Sequence, residues 1–211
     1  MGELAQAEGL AAHERAEAIR LLAEAFADNP LNVAVIGGSR STRVRSNAAG
    51  IRAVLPTAER CGHVRVARDG GVPCGVLIAA PPGAYPFPRP SAPALLRSLV
   101  GQGLRVAGRW REAFEALDAV HPRDPRWYLS LLGVAPARQG RGFGGALLDA
   151  WLARVDDDGL PAWLETDRET NLAFYGARGF GVEHELRVLG ARVWCLGRPA
   201  RAPAPEIAGL R

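Results

Sequence analysis

The chain has 211 residues, enough for one domain with a sizeable core, and its 48% apolar and 23% charged content is ordinary for a globular protein. Its net charge is +4, and the 26 basic residues, all arginines, are too scattered to form the continuous basic stripe that nucleic-acid binding favours. No apolar run reaches the ~18 residues of a membrane span, and the acidic, alanine-rich start lacks the pattern of a secretory signal.

The three cysteines, Cys61, Cys74 and Cys195, are odd in number and far apart. This spacing predicts neither a disulfide framework nor a metal site. Buried thiols in a protein of the reducing cytoplasm are the simplest expectation.

The first half of the chain predicts helices and one hairpin. Apolar residues at helical spacing indicate a helix over 11–28, which Asp28-Asn29-Pro30 is expected to end. The helix either simply packs on the surface or ends beside a substrate cleft. A second helix over 41–59 is plausible, although Gly50 and Pro56 weaken it. Alternation around a turn at 68–71 predicts an antiparallel hairpin over 63–80.

A proline-rich loop over 81–93 carries Tyr85, which either covers a pocket or packs the loop down. Residues 94–119 are predicted to be helical, with glycines that suggest a break into two helices. His121 lies in the connector that follows.

The second half predicts a strand over 127–134, a glycine loop, a helix over 142–155 and a parallel strand over 162–166. A short helix over 170–178 and a hairpin of 182–188 with 191–196 follow. Residues 199–211 are expected to form a frayed tail.

The glycine loop matches the dinucleotide fingerprint Gly140-x-Gly142-x-x-Gly145, with Glu165 at the end of the next strand. Three observations oppose that interpretation: residues 137–139 separate the strand from the first glycine, too few residues follow for a doubly wound sheet, and a hairpin ends the chain. A phosphate-binding ATPase loop is excluded because no Gly-Lys-Ser/Thr follows.

The same loop, Gln139-x-x-Gly142-x-Gly144, resembles the coenzyme A loop of GCN5-related N-acetyltransferases, the GNAT family. A second block agrees with that resemblance, because residues 164–167, 171–175 and 179–180 are similar to the family's later motif. Residues 25–30, 125–129, 161–166 and 194–196 also resemble the puromycin N-acetyltransferase-like branch, whereas the similarity is faint across 31–119.

The resemblance implies an α/β fold of the α+β type: a mixed, mostly antiparallel sheet flanked by helices, with strands splayed at the cofactor cleft. We expect one domain over 1–198, with a substrate-facing half at about 11–119 and a cofactor-binding half at about 120–198. Acetyl-CoA would be the co-substrate, and no metal is expected.

Glycines and a helix N-terminus suit a phosphate group, because free amides and the helix dipole favour negative charge there. Arg138 and Arg141 could add charge to that site or simply be solvated. The resemblance extends the expected cofactor contacts to the pantetheine arm, and the full set is Leu132, Gly133, Val134, Arg138, Gln139, Gly140, Arg141, Gly142, Phe143, Gly144, Gly145, Asn171 and Phe174.

Tyr175 matches the family's general acid, although its spacing alone also fits a core residue beside Phe174. Glu165 is the candidate base, acting directly or through water, or else a structural carboxylate. Weaker candidates for the substrate cleft are Asp28, Asn29, Tyr85 and His121. No cysteine lies in these motifs, so direct transfer in a ternary complex is expected.

The predicted acceptor is a primary amine of a small molecule, either an antibiotic or another metabolite. The predicted protein is a monomer or homodimer that binds neither nucleic acid nor membrane. Three alternatives stay open: a protein or peptide N-acetyltransferase, a non-catalytic acyl-CoA-binding protein, and a nicotinamide-dependent oxidoreductase.

Overall fold

A seven-stranded sheet runs through the computed structural model, which describes residues 5–201, with side chains from residue 9. The strands are β1 (Ala5–Glu8), β2 (His63–Asp69), β3 (Val72–Ala80), β4 (Trp127–Val134), β5 (Ala162–Thr166), β6 (Gly181–Val188) and β7 (Ala191–Arg198). Their order is β1-β2-β3-β4-β5-β7-β6, and only β4 and β5 are parallel. The predicted fold class is therefore confirmed.

In the described part of the chain, seven α-helices cover this sheet: α1 (Arg15–Phe26), α2 (Pro30–Ile36), α3 (Arg40–Cys61), α4 (Ala92–Gln102), α5 (Leu104–Asp118), α6 (Phe143–Asp157) and α7 (Thr170–Gly176). Helices α6 and α7 bury their apolar sides on one face of the sheet. On the other face, α1 and α3 cover β2 and β3, whereas α2 and α5 cover β5 and β7. The core on that face thus consists of two separate clusters, and the boundary between them lies where β4 meets β5.

The sheet forks between β4 and β5. Trp127–Leu129 pair with Ala162–Leu164, and from there β4 continues only with β3 while β5 continues only with β7, within the described residues. A β-bulge accompanies the fork, because Ser130 is the extra residue between Leu129 and Leu131 in the pairing with β3. Bulges bend a strand, and this one lies where β4 leaves β5. The expected splay of the strands is present.

Most predicted elements are observed with small shifts at their ends. The helical stretch over 94–119 is indeed two helices, which meet at Gly103 with φ +86°, and α3 runs through Pro56. Of the predicted tail, residues 202–211 lie outside the described part of the chain.

Two elements were not predicted. Strand β1 extends the sheet beyond β2. Helix α2 begins at Pro30, which the sequence analysis treated only as a helix stop. Proline also suits the first position of a helix, because its fixed φ is helical and the missing N–H would have no intrahelical partner there.

Gly133 lies in β4 because α1 approaches the strand closely. A Cβ atom at this position would stand 2.7 Å from Leu22 Cδ2 and 3.3 Å from Phe26 Cε2. A glycine inside a strand often marks a bulge or a close backbone approach. The bulge is at Ser130, and the close approach is that of a helix.

We expect Gly133→Ala to lower the free energy of unfolding by about 1–3 kcal/mol, because Leu22 is fully buried and cannot move aside. Urea denaturation measures this loss. Gly108→Ala is the control, since a Cβ at this position of α5 meets nothing within 4 Å. Alanine is a better helix former than glycine, so this variant should gain at most about 1 kcal/mol in free energy of unfolding. Equal stability of Gly133→Ala and the wild type would contradict the packing argument.

Candidate active site

The loop after β4 presents free backbone amides at the start of α6. Ala146 donates its N–H to the Gly142 carbonyl at 2.9 Å, so the amides of Phe143, Gly144 and Gly145 precede the first intrahelical bond. Gly140 and Gly142 have φ values of +75° and +87°, and a Cβ at either would meet nothing within 4 Å. Glycines therefore shape an open loop, a cradle that fits a phosphate group.

Polar side chains hold this loop in place. Gln139 Nε2 donates to the Val134 carbonyl at 3.0 Å and closes the turn onto β4. Arg138 Nε and Arg141 Nη1 both contact Asp69 Oδ2, at 2.9 and 3.0 Å. The single carboxylate leaves this cluster with a net charge of +1, beside the amides and open to solvent.

The remaining loop residues serve packing. Phe143 is buried in the core, so only its backbone is available to a ligand. A Cβ at Gly145 would stand 2.8 Å from Arg178 Nη2, and one at Gly144 would stand 3.4 Å from Val134 Cγ2. Gly144 therefore lies in contact with β4, and Gly145 leaves room for the Arg178 side chain, which follows α7.

The inner edge of β4 carries the backbone groups predicted to contact the pantetheine arm. Ala135 donates its N–H to the Cys74 carbonyl of β3 at 2.8 Å. Successive residues of a strand direct their N–H and C=O groups to opposite sides. Since Ala135 faces β3, the backbone groups of Val134 and Leu132 point away from β3, toward the fork. Gln139 already occupies the Val134 carbonyl.

Helix α7 brings Tyr175 to the α6 side of the sheet. Tyr175 is buried with Leu129 and Leu164, and its ring lies edge-on to Phe174 and Phe180 at 5.1 and 5.9 Å. Burial raises the pKa of Tyr175 well above its usual value, while Arg178 lowers it. The phenol is therefore protonated at neutral pH.

The other two predicted residues of α7 support the helix. Asn171 Nδ2 donates to Thr166 Oγ1 at 2.9 Å, which ties the start of α7 to the end of β5. Phe174 lies under the Arg178 guanidinium, 4.5 Å from its ring centroid.

Glu165 lies on the opposite face, as the first residue of β5 beyond the pairing with β4. Its carboxylate is 9% exposed. Tyr128 donates its hydroxyl to Oε2 at 2.7 Å, and Trp163 donates Nε1–H to Oε1 at 2.7 Å. Two neutral donors thus stabilise a buried carboxylate at the fork.

His121 and Tyr85 complete what we call the carboxylate cluster: Tyr85, His121, Tyr128, Trp163 and Glu165. The Tyr85 ring stacks on His121 at 4.0 Å and lies 4.4 Å from Tyr128. Burial, with Glu165 and Asp118 nearby, raises the pKa of Tyr85 to about 12. The structure therefore brings together three predicted residues that are far apart in the sequence.

Sequence reasoning missed Tyr128 and Trp163. A usable signal was present, because Trp163 and Glu165 are two residues apart on one strand and so share a face of the sheet. Tyr128 pairs directly with Trp163 across the parallel ladder, and only the register of the strands reveals that contact.

Asn29 lies near the end of β5, but Asp28 does not join the cluster. Asn29 Nδ2 donates to Asp167 Oδ1 at 3.1 Å, and Arg168 Nε donates to Asn29 Oδ1 at 2.7 Å. The Asp28 carboxylate is half exposed and pairs with Arg43 and Arg40, which hold its pKa below the usual value.

Within residues 5–201, no group of three or more His, Cys, Asp or Glu side chains could hold a metal ion. No helix in the same range is both long and apolar enough to cross a membrane.

Comparison with known proteins agrees with this geometry. The family model described as Acetyltransferase (GNAT) family matches residues 54–180, more than half of the chain and including the fork, the glycine loop and α7.

Solved structures share the fold. A structure described as histone acetyltransferase HPA2 and related acetyltransferase, from Corynebacterium glutamicum, is 22% identical with a TM-score of 0.72, covering 95% of this chain and 98% of that one. The ribosomal-protein-S18-alanine N-acetyltransferase from Escherichia coli is 14% identical with a TM-score of 0.55, covering 99% and 100%. A chain of the NatC complex bound to Gag peptide and CoA is 15% identical with a TM-score of 0.54, covering 94% and 99%.

The forked sheet, the glycine loop and the family match lead to one conclusion: the chain belongs to the GNAT acetyltransferase family, whose members use acetyl-CoA, and is an acyl-CoA-dependent N-acyltransferase.

Proposed function

We propose that this protein transfers an acetyl group from acetyl-CoA to a primary amine of a small molecule, directly and within a ternary complex. The observation that carries the proposal is the arrangement at the fork, where Tyr175 lies on the α6 face and Glu165 on the opposite face. Acetyl-CoA would enter from the first side and the amine from the second.

Acetyl-CoA would bind the glycine loop by its pyrophosphate, through the amides of Phe143, Gly144 and Gly145. Arg138 and Arg141 would contribute positive charge, although Asp69 offsets part of it. The pantetheine arm would then hydrogen-bond to the backbone of β4 around Leu132–Val134, where β4 is no longer paired with β5. An N–H in this stretch would polarise the thioester carbonyl.

In the reaction, the amine nitrogen attacks the thioester carbon, a C–N bond forms and the C–S bond breaks. The departing thiolate takes the phenolic proton of Tyr175. Burial makes a tyrosinate unfavourable, but the same apolar surroundings destabilise the thiolate, so one desolvated anion replaces another. The attacking nitrogen releases its extra proton to solvent water as the amide forms, and Tyr175 regains a proton from solvent.

The amine arrives as an ammonium and must lose a proton before it attacks. Glu165 is the proposed acceptor of that proton, directly or through water. The site suits this role because the hydrogen-bond donors that the described residues offer to this buried carboxylate are both neutral, which favours the approach of an ammonium.

A small acceptor is favoured because two segments flank the carboxylate. Loop 81–91 places Tyr85 on the carboxylate cluster. The turn between α1 and α2 is bound to the end of β5, where Asp167 accepts the Leu31 N–H at 2.7 Å and the Asn29 amide. An extended peptide needs an open groove at this position. A cytoplasmic location and the puromycin N-acetyltransferase-like branch remain predictions of the sequence.

The test is release of free thiol from acetyl-CoA with a panel of small amines, puromycin included, in parallel with peptides bearing free N-termini or lysines. We expect turnover with one or more small amines. Turnover only with peptides would contradict the proposed acceptor. Binding of CoA without any turnover would indicate a non-catalytic acyl-CoA-binding protein, and binding of NADH would favour the oxidoreductase alternative.

Gly142→Asp is expected to weaken acetyl-CoA binding by about 100-fold or more, because a carboxylate beside the loop amides repels the pyrophosphate. Isothermal titration calorimetry measures this loss. Gly190→Asp is the matched control, since Gly190 at the β6–β7 turn has φ +89° against +87° for Gly142 and equally open surroundings. Retained binding in Gly142→Asp would remove the loop assignment.

Tyr175→Phe keeps the buried ring and removes the proton. We expect kcat to fall by about 100-fold, within the range of general acid catalysis, with little change in the KM for acetyl-CoA. Because burial raises the pKa of Tyr175, the phenol stays protonated and the loss should be the same from pH 6 to pH 9. Unchanged turnover would remove Tyr175 as the acid.

A further inference from the structure

His121 has a buried nitrogen that the mechanism above does not use. Its side chain is 5% exposed, and Nδ1 has no hydrogen-bond partner within the described part of the chain. This atom lies 3.9 Å from Glu165 Oε1, which is too far for a hydrogen bond. A small rotation of either side chain would bring the two atoms within hydrogen-bond distance. An unsatisfied buried nitrogen costs stability, so its position calls for a reason.

Glu165 needs a neighbour that can take a proton from it. Its two hydrogen-bond donors, the Tyr128 hydroxyl and Trp163 Nε1–H, are neutral and stabilise the carboxylate. Neither is a base at neutral pH. Each carboxylate oxygen accepts more than one hydrogen bond, so Oε1 still has a lone pair for a proton. His121 is the one imidazole in the carboxylate cluster, and a neutral imidazole has one ring nitrogen that can accept a proton.

The surrounding rings hold the imidazole in this position. Tyr85 covers one face in a stacked arrangement at 4.0 Å, and Tyr128 and Trp163 meet the ring edge-on at 5.3 and 5.8 Å. The His121 backbone N–H donates to the Asp118 carbonyl at 3.3 Å, directly after α5. The imidazole is thus fixed beside the carboxylate and shielded on one side.

We propose that Glu165 and His121 form a proton relay that deprotonates the acceptor amine. An ammonium N–H bond breaks as an O–H bond forms on Glu165 Oε1. That O–H bond then breaks as Nδ1 of His121 takes the proton, and the imidazolium passes one proton to solvent water. Glu165 returns to the carboxylate before the next turnover. This inference rests on the proposed function of Glu165. His121 does not touch the amine and acts on it only through Glu165.

Other ionisable groups around His121 are paired with one another. Arg123 binds Asp118 at the end of α5, and Arg126 binds Asp124 in the connector. Glu165 of β5, Tyr128 of β4 and Tyr85 of loop 81–91 lie against the imidazole, and Asp124 of the connector interacts with it electrostatically. Asp118, Arg123 and Arg126 act on the neighbouring rings of Tyr85 and Trp163. Glu165 is the carboxylate that approaches Nδ1, at 3.9 Å.

The test compares kcat from pH 6 to pH 10 for the wild type and His121→Asn, with the amine that the acceptor screen finds. At pH 7 we expect about 100-fold lower kcat and an unchanged KM for acetyl-CoA. The deficit should shrink toward pH 10, because hydroxide then takes the proton and more of the amine arrives neutral. His184→Asn is the control: its ring faces Trp163 from β6 at 6.2 Å, and its kcat should equal that of the wild type at every pH.

A double substitution separates a relay from a structural role. Because His121 acts through Glu165, Glu165→Gln with His121→Asn should be no slower than Glu165→Gln alone. A deficit that is equal at every pH, losses that multiply in the double variant, or wild-type activity in His121→Asn would each overturn the relay.

A measurement on the unaltered protein does not depend on how the variants fold. In the long-range ¹H–¹⁵N spectrum of the wild type at pH 7.5, we expect Nδ1 of His121 to carry no proton and Nε2 to carry one. A proton fixed on Nδ1 would overturn the relay. If the wild type transfers no acetyl group to any amine, the proposed function fails and the relay fails with it. If the wild type is active and His121→Asn has the same loss of kcat at every pH, only the relay is overturned.

Discussion

The organisation of this protein depends on where the hydrogen bonding between β4 and β5 ends. After Leu129 and Leu164 the strands are no longer paired, so β4 exposes an inner edge of peptide groups in the middle of the sheet. Such groups are costly to bury without partners. An extended amide-bearing ligand such as the pantetheine arm can satisfy them, which makes the fork a binding site by backbone chemistry alone. The bulge at Ser130 and the glycine at 133 both serve this geometry.

The fork also separates two kinds of chemistry, because side chains alternate between the faces of a strand. Leu164 packs with Tyr175 in the apolar core under α6, while its neighbours Trp163 and Glu165 lie on the opposite side. A proton donor in dry surroundings and a hydrogen-bonded carboxylate thus lie within one short segment of the fold. Apolar burial keeps the phenol protonated, and two neutral donors hydrogen-bond to the carboxylate.

Specific polar contacts help to hold two of the segments beside the fork. Asp167 binds the turn before α2 through Asn29 and the Leu31 amide, and Asp69 binds two arginines of the glycine loop. Burial raises the pKa of Asp167, so these hydrogen bonds offset a real desolvation cost. Asp167, directly after β5, and Asp69, at the end of β2, therefore fix the positions of two segments beside the fork.

Local chemistry in the sequence was enough to predict the hairpin of β2 and β3 and the β4–α6–β5 unit with its parallel strands, whereas the fold class followed from the resemblance to the GNAT family. Periodicity, turn residues and glycines that require a positive φ are properties of short segments. The sequence, with the family resemblance, also singled out Glu165, His121, Tyr85 and Tyr175, but it predicted no contacts among them. Their grouping depends on contacts such as that between Tyr85 and His121, which are 36 residues apart in the printed sequence. Only the tertiary structure placed Tyr175 and Glu165 on opposite faces, added Tyr128 and Trp163 to the site and paired Asp28 with arginines, because the register between strands and the packing of loops arise from long-range contacts that no local pattern encodes.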